Sequence, residues 1–204
     1  MSEERYGRNY RTYVGLSTPW DEAASNCFAL MTRAMGLREK HYLLDVGCGS
    51  LRIGRLFLMY LRPGRYYGIE PNDWLLLEAI RNEVSQGLIE LKRPEFSLRD
   101  DLQLSVFDRR FDYILAQSIW SHAAPQQVQR CMYEGRKALK AGGRMVATFF
   151  EREEDYTGGE WVYPTAIGYT WDTLATWAEA ASLNMKRIEW PHPDGQTWTL
   201  LRRK

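Results

Sequence analysis

The apolar run Tyr42-Leu43-Leu44, opening onto Asp45-Val46-Gly47-Cys48-Gly49-Ser50-Leu51-Arg52-Ile53-Gly54, constrains this chain more than any other segment. It reads as a buried strand entering a glycine turn and then a helix. Glycine has no Cβ, so Gly47 and Gly49 let the backbone turn sharply and approach a ligand, while the helix start offers free N–H groups. A second strand, Arg65-Tyr66-Tyr67-Gly68-Ile69-Glu70, ends on a carboxylate suited to ribose hydroxyls. The third glycine, Gly54, follows Gly49 by five positions rather than the three of a dinucleotide fingerprint, and Asp45 precedes the turn. A carboxylate there repels a pyrophosphate but accepts from an ammonium group, directly or through water. An adenosine carrying a zwitterionic amino-acid tail fits this turn better than NAD.

The flanking pattern alternates helices with strands and so predicts an α/β sheet covered on both faces. Thr18-Pro19-Trp20-Asp21-Glu22 reads as an N-cap, a proline at the first helical position and an acidic first turn, opening a helix to about Met35. Strands are expected at about Tyr42–Val46, Tyr66–Glu70, Glu95–Leu98, Phe111–Gln117, Arg144–Phe150, Asn184–Glu189 and Thr197–Arg202. Helices are expected at about Ser50–Leu61, Asn72–Ser85, Pro125–Lys140 and Trp171–Leu183, with a loop over Glu151–Gly168. Pro191-His192-Pro193-Asp194-Gly195 favours a hairpin between the last two strands. A chain of 204 residues, 45% hydrophobic, buries a sizeable core as one domain, 1–204: an N-terminal lid and helix (1–38), a cofactor-binding core (39–150), and an acceptor-side loop, helix and hairpin (151–204).

Lys and Arg total 27 against 26 acids, and a net charge of +1 exerts no bulk pull toward nucleic acid or membrane. Cys27, Cys48 and Cys131 form neither a disulfide framework nor a metal spacing, which points to a reducing cytoplasm. The charged N-terminus lacks the apolar core of a signal peptide, and the densest apolar run, near Leu56 to Leu61, is too short to span a bilayer.

Four segments in order resemble the class I S-adenosylmethionine-dependent methyltransferases. They are Asp45-Val46-Gly47-Cys48-Gly49, Gly68-Ile69-Glu70-Pro71-Asn72, Phe111 to Ser118, and Ala138-Leu139-Lys140-Ala141-Gly142-Gly143-Arg144, where Ala141 replaces the family's proline. Gly49-Ser50-Leu51-Arg52 and His192 to Trp198 are similar to a subgroup of small stand-alone bacterial-type members. The resemblance runs from about Tyr42 to the C-terminus. It implies a Rossmann-like, seven-stranded, mostly parallel sheet with an antiparallel last strand, S-adenosyl-L-methionine as cofactor and S-adenosyl-L-homocysteine as product.

In open α/β sheets ligands sit outside the carboxyl ends of the strands. The expected cofactor residues are Asp45, Gly47, Cys48, Gly49, Arg52, Glu70, Pro71, Asn72, Asp100, Asp101, Gln117 and Ser118. Glu70 is suited to accept from both ribose hydroxyls. Asp100 or Asp101 resembles the family's acceptor from the adenine amine, or else caps a short helix. Arg52, in a first helical turn where the macrodipole disfavours a cation, hints at an anion: the methionine carboxylate, an acidic substrate, or a nearby glutamate. Cys48 has no neighbouring base and reads as a small buried filler rather than a nucleophile.

Beyond the fourth strand, Gln117-Ser118-Ile119-Trp120-Ser121-His122 lacks the Pro-Pro-aromatic signature of DNA amino-methyltransferases. His122 is the candidate general base, with helix capping or packing as the alternative. Tyr6, Tyr10 and Tyr13 in a lid-like N-terminal segment, Trp120, Trp161 and Tyr163, and His192 beside Gln196 and Trp198, are the candidates for the acceptor pocket. The expected reaction moves a methyl group to oxygen or nitrogen of a small organic acceptor. A cyclase or lyase on the same fold, and an inactive cofactor-binding partner subunit, are the alternatives.

Overall fold

A computed structural model describes residues 9–15 and 19–204. The first strand, β1 (Leu43–Val46), is buried along its whole length, as expected of a strand covered on both faces. It pairs in parallel with β2 (Tyr66–Ile69) on one side and β4 (Phe111–Ala116) on the other, and β3 (Glu95–Ser97) and β5 (Leu139–Glu151) extend the sheet outward, also in parallel. The order is β3-β2-β1-β4-β5-β8-β7, where β7 is Leu183–Ile188 and β8 is Thr197–Arg203. Strand β8 runs antiparallel to both neighbours, because a hairpin through Asp194 and Gly195 (φ +72°) turns it back between β5 and β7. A two-residue strand, β6 (Gly168–Tyr169), pairs with the end of β5 and makes eight strands where the sequence suggests seven.

Helices α2 (Trp20–Ala29), α3 (Gly54–Tyr60) and α4 (Asp73–Ala79) accompany one face, and α6 (Pro125–Ala138) and α7 (Trp171–Ala180) the other. Leu30, Met31, Phe57, Leu58, Tyr66 and Trp198 fill the first layer. Phe111, Ile114, Trp120, Met132, Phe149 and Leu174 fill the second. Burying each such side chain contributes roughly 1.5–3 kcal/mol before ordering costs. A short helix, α1 (Tyr10–Tyr13), precedes α2 and is capped by the Asn9 side chain.

Local departures from the expected elements have identifiable causes. The helix after β1 starts at Gly54 rather than Ser50 because Leu51 adopts a left-handed backbone (φ +54°), which no helix continues. Arg52 therefore stands in the turn before α3, not inside its first turn. Pro19 occupies the cap position of α2 rather than its first turn, so the helix starts one residue later than expected, and Thr18 lies outside the described residues. Helices α2 and α4 each continue through a π-helical turn, Leu30–Ala34 and Ile80–Val84. Helix α5 (Gln86–Lys92) was not expected; Ser85 caps it by accepting from Leu88 N–H. Strand β5 begins at Leu139, opposite Phe111, and its register breaks around Gly142 (φ +75°) before Arg144 resumes pairing with Tyr113.

Candidate active site

The carboxyl ends of β1, β2 and β4 open into a cavity of about 550 Å³, within the size range of small-molecule sites. Its wall contains Asp45, Gly47, Cys48, Gly49, Arg52, Glu70, Pro71, Asn72, Asp100, Gln117, Ser118, His122, Trp161, Tyr163 and Tyr13. Fifteen residues singled out in the sequence thus converge on one space.

At one end the glycine turn and Glu70 are locked together. Gly47 (φ +66°) and Gly49 (φ +54°) take conformations that side chains resist, and Gly47 and Cys48 donate their N–H groups to Ile69 O. Gly49 N–H donates to Glu70 Oε2 at 3.0 Å, while Asn72 donates its backbone N–H and its carboxamide to Oε1 at 2.9 and 2.7 Å. Glu70 is only 5% exposed, and burial raises its pKa against these three bonds. Three of about four lone-pair sites are filled, so Oε2 keeps one open acceptor site and a second opens on Oε1 only if the Asn72 carboxamide turns away.

Asp45 lies beneath the same turn. Tyr66 donates its hydroxyl to Asp45 Oδ2 at 2.8 Å, and burial, the largest influence, raises the carboxyl pKa to about 7 despite that bond, with the charge of Glu70 adding to the rise. A Cβ on Gly54 would stand 2.3 Å from the Tyr66 hydroxyl, so the third glycine makes room for Tyr66 rather than for a ligand. Neither Tyr66 nor Ile119 was singled out in the sequence, yet Ile119 Cδ1 fills the space where a Gly47 side chain would be, at 2.1 Å from the missing Cβ. The pairing of Gly54 with an aromatic at the start of β2 was the available clue to Tyr66.

At the other end, side chains from distant segments meet. Ser118, itself at φ +57°, donates its N–H to Thr148 Oγ1 and accepts at Oγ from the carboxamides of Gln117 and Gln196, all at 2.7 Å. That ties the end of β4 to β5 and β8. His122 Nδ1 lies 2.9 Å from Thr165 O; a carbonyl accepts, so Nδ1 carries the proton and Nε2 of the neutral ring holds a lone pair. Burial lowers the His122 pKa, partly offset by that bond, which keeps the ring neutral near pH 7. The Tyr163 ring meets His122 edge-on at 4.9 Å and Tyr13 at 5.4 Å, and Trp161 lies 5.9 Å from His122. Val162 N–H donates to His122 O and Ile167 N–H to Ser121 O, so the loop after β5 is stitched over the loop after β4.

Several expected residues stand elsewhere. Asp101 is outside the cavity wall: it pairs with Arg99 and Arg130 and accepts from Gln103 N–H, and the bond from Arg99 holds its pKa down to about 2. Asp100, one position earlier, is the acid that lines the cavity. Trp120 is fully buried in the core beneath the site, because the turn after β4 rotates it inward. Tyr10 is outside the wall, donating to Glu83 and meeting Trp20 edge-on. His192 lies outside the wall, its ring tilted against Trp198 with centroids 5.2 Å apart and its Nε2 3.4 Å from the Gln117 carboxamide; burial lowers its pKa to about 4. Tyr6 lies outside the described residues.

With this geometry in view, the match to known proteins is direct. A methyltransferase-domain family model matches residues 44–145, half of the chain, and the protein belongs to that family, whose cofactor is S-adenosylmethionine. An uncharacterised methyltransferase of Schizosaccharomyces pombe is 26% identical over 141 residues, covering 68% of this chain and 49% of that protein, so the chain spans about half the length of the curated relative it matches. Among solved structures, a Pyrococcus horikoshii protein superposes with a TM-score of 0.70 at 16% identity, each chain covered in full. Magnesium protoporphyrin IX methyltransferase of Synechocystis, crystallised with S-adenosylhomocysteine, gives 0.68 at 12% identity over 90% of this chain and 83% of that one. These likenesses bear on the fold: a Rossmann-like sheet, mostly parallel, with helices on both faces.

The residues present fit the cofactor. The Glu70 carboxylate keeps an open acceptor site, Ser50 Oγ in the turn is buried without a partner among the described residues, and Asp45 is a buried acid beneath the turn whose charge a cationic group would compensate. No helix among the described residues is long and apolar enough to cross a membrane.

Proposed function

We propose that the protein, as one domain, moves a methyl group from S-adenosylmethionine to oxygen or nitrogen of a small organic acceptor. The observation that carries the reading is the joining of two unlike ends in one cavity, an acid-lined turn and an aromatic wall containing His122. When bound, the cofactor supplies an electrophilic methyl group on a sulfonium. Glu70, Asn72 and Asp100 hold the adenosine, and Asp45, Gly47 and Gly49 hold the amino-acid tail. Tyr13, Trp161 and Tyr163 exclude water and orient the acceptor, since alignment alone lowers such a barrier substantially. His122 accepts a proton at Nε2 from a hydroxyl acceptor as the new bond forms, or from an ammonium acceptor beforehand, freeing the lone pair that attacks. The three free cysteines are buried, which supports a reducing, cytoplasmic setting.

Mass spectrometry of a metabolite extract incubated with the pure protein and methyl-labelled cofactor tests this. Labelled product with S-adenosylhomocysteine supports it. Methylthioadenosine instead would assign a cyclase or lyase, and no turnover without a co-purifying chain would assign a partner subunit.

A further inference from the structure

The Arg52 guanidinium is a buried cation at the site. The residue is only 8% exposed, yet its side chain makes no hydrogen bond and no ion pair to any described residue, and it lines the cavity. Its surroundings are the Trp20 ring, 5.9 Å away, the backbone at Gly15, the Asp194 carboxylate, the buried Cys27 thiol and the Tyr163 phenol. Burial lowers its pKa, with Asp194 opposing from beyond ion-pair distance. A cation withdrawn from water with no ion pair among the described residues is costly, and an anion entering the cavity removes that cost.

Two molecules bring a carboxylate here, an acidic acceptor and the cofactor's own tail. The neighbours of Arg52 favour the first. They come from the N-terminal segment, the loop after β5 and the last hairpin, the segments that build the aromatic end, whereas neither Asp45, assigned to the tail, nor Glu70 is among the groups acting on Arg52. Tyr163 links the two features, since its phenol feels Arg52 and its ring meets His122 and Tyr13. We propose that Arg52 receives the carboxylate of the acceptor, and that the acceptor is a ring-bearing carboxylic acid held flat by Tyr163 and Trp161. This rests on the methyltransferase reading above.

The test uses the full chain saturated with S-adenosylhomocysteine, titrated calorimetrically with 4-hydroxybenzoate and with its uncharged analogue 4-hydroxybenzamide. The expected result is at least tenfold tighter binding of the acid. Arg52→Met should erase that preference and Arg52→Lys should keep part of it, with S-adenosylhomocysteine affinity within twofold of wild type in both. Equal binding of acid and amide by the wild type, or no binding of either, overturns the proposal even if the variants do not fold. A tenfold or greater loss of S-adenosylhomocysteine affinity in folded Arg52→Met also overturns it, assigning Arg52 to the cofactor tail. Failure of the wild type to bind S-adenosylhomocysteine at all would instead remove the methyltransferase reading.

Discussion

At the glycine-turn end of the cavity, Asp45, Gly49 and Glu70 hold one another through backbone N–H groups and the Tyr66 hydroxyl, all within two adjacent parallel strands and their loops. At the aromatic end, His122, Tyr163, Gln196 and Tyr13 come from four separate segments and are held by contacts across more than one loop. The first end is preorganised by strand pairing, to which the Tyr66 and Glu70 side chains add local hydrogen bonds. The second depends on each loop being in place, and that is where a fold shared by many chemistries is free to differ.

If the ends divide binding from chemistry, a change at one should leave the other intact. His122→Ala should lose roughly 100-fold or more in turnover near neutral pH while keeping its affinity for S-adenosylhomocysteine. Near-wild-type rates for both this variant and His122→Gln would leave acceptor alignment as the source of catalysis. At the opposite end, Glu70→Ala should weaken S-adenosylhomocysteine binding by about 1.5–3 kcal/mol through loss of charged hydrogen bonds. Unchanged calorimetric affinity in a folded variant would take Glu70 out of the site.

The pH dependence sharpens the same division. With its pKa raised to about 7, Asp45 is half protonated at neutrality in the ligand-free protein, whereas a cationic tail binds the ionised form. S-adenosylmethionine affinity should therefore be about tenfold weaker at pH 6 than at pH 8. Ligand-free stability should respond in the other sense. A carboxyl raised in the folded state favours folding while protonated, so this contribution is full below the ordinary carboxylate pKa near 4 and is lost as pH rises through 7. Affinity and stability that rise together across this window would exclude Asp45 as the responsible group. The smallest effect is expected at the paired acids: Asp101→Asn should change S-adenosylhomocysteine affinity by less than about twofold, since exposed ion pairs contribute little, while Asp100→Asn should cost more. The reverse order would return Asp101 to the cofactor.

What could be read from the sequence follows from how each end is built. Asp45, the two glycines and Glu70 are legible because the turn and the carboxylate are set by local backbone chemistry, and the switch-point rule then locates Gln117 and Ser118. Trp120 was not legible as a core residue, because the left-handed Ser118 redirects the chain after β4 and a string of letters carries no such turn. Asp101 could not be told from Asp100 without the Arg99 and Arg130 side chains, one of which comes from α6. The delayed start of α3 escaped for a similar reason: left-handed Leu51 is unusual for a branched side chain, and helix propensity argues against it.

The Ser118 hydroxyl, shared by Gln117 and Gln196, also bears on the order in which the molecule is assembled. A growing chain that has emerged through Ala116 already carries Asp45, Gly49, Glu70, Asn72 and Asp100. Gln196 arrives only with β8, which must insert between β5 and β7 after both have been made. Domains generally form from the N-terminal side during synthesis. The residues at the glycine-turn end are thus made first, and the aromatic end is completed only when the hairpin docks.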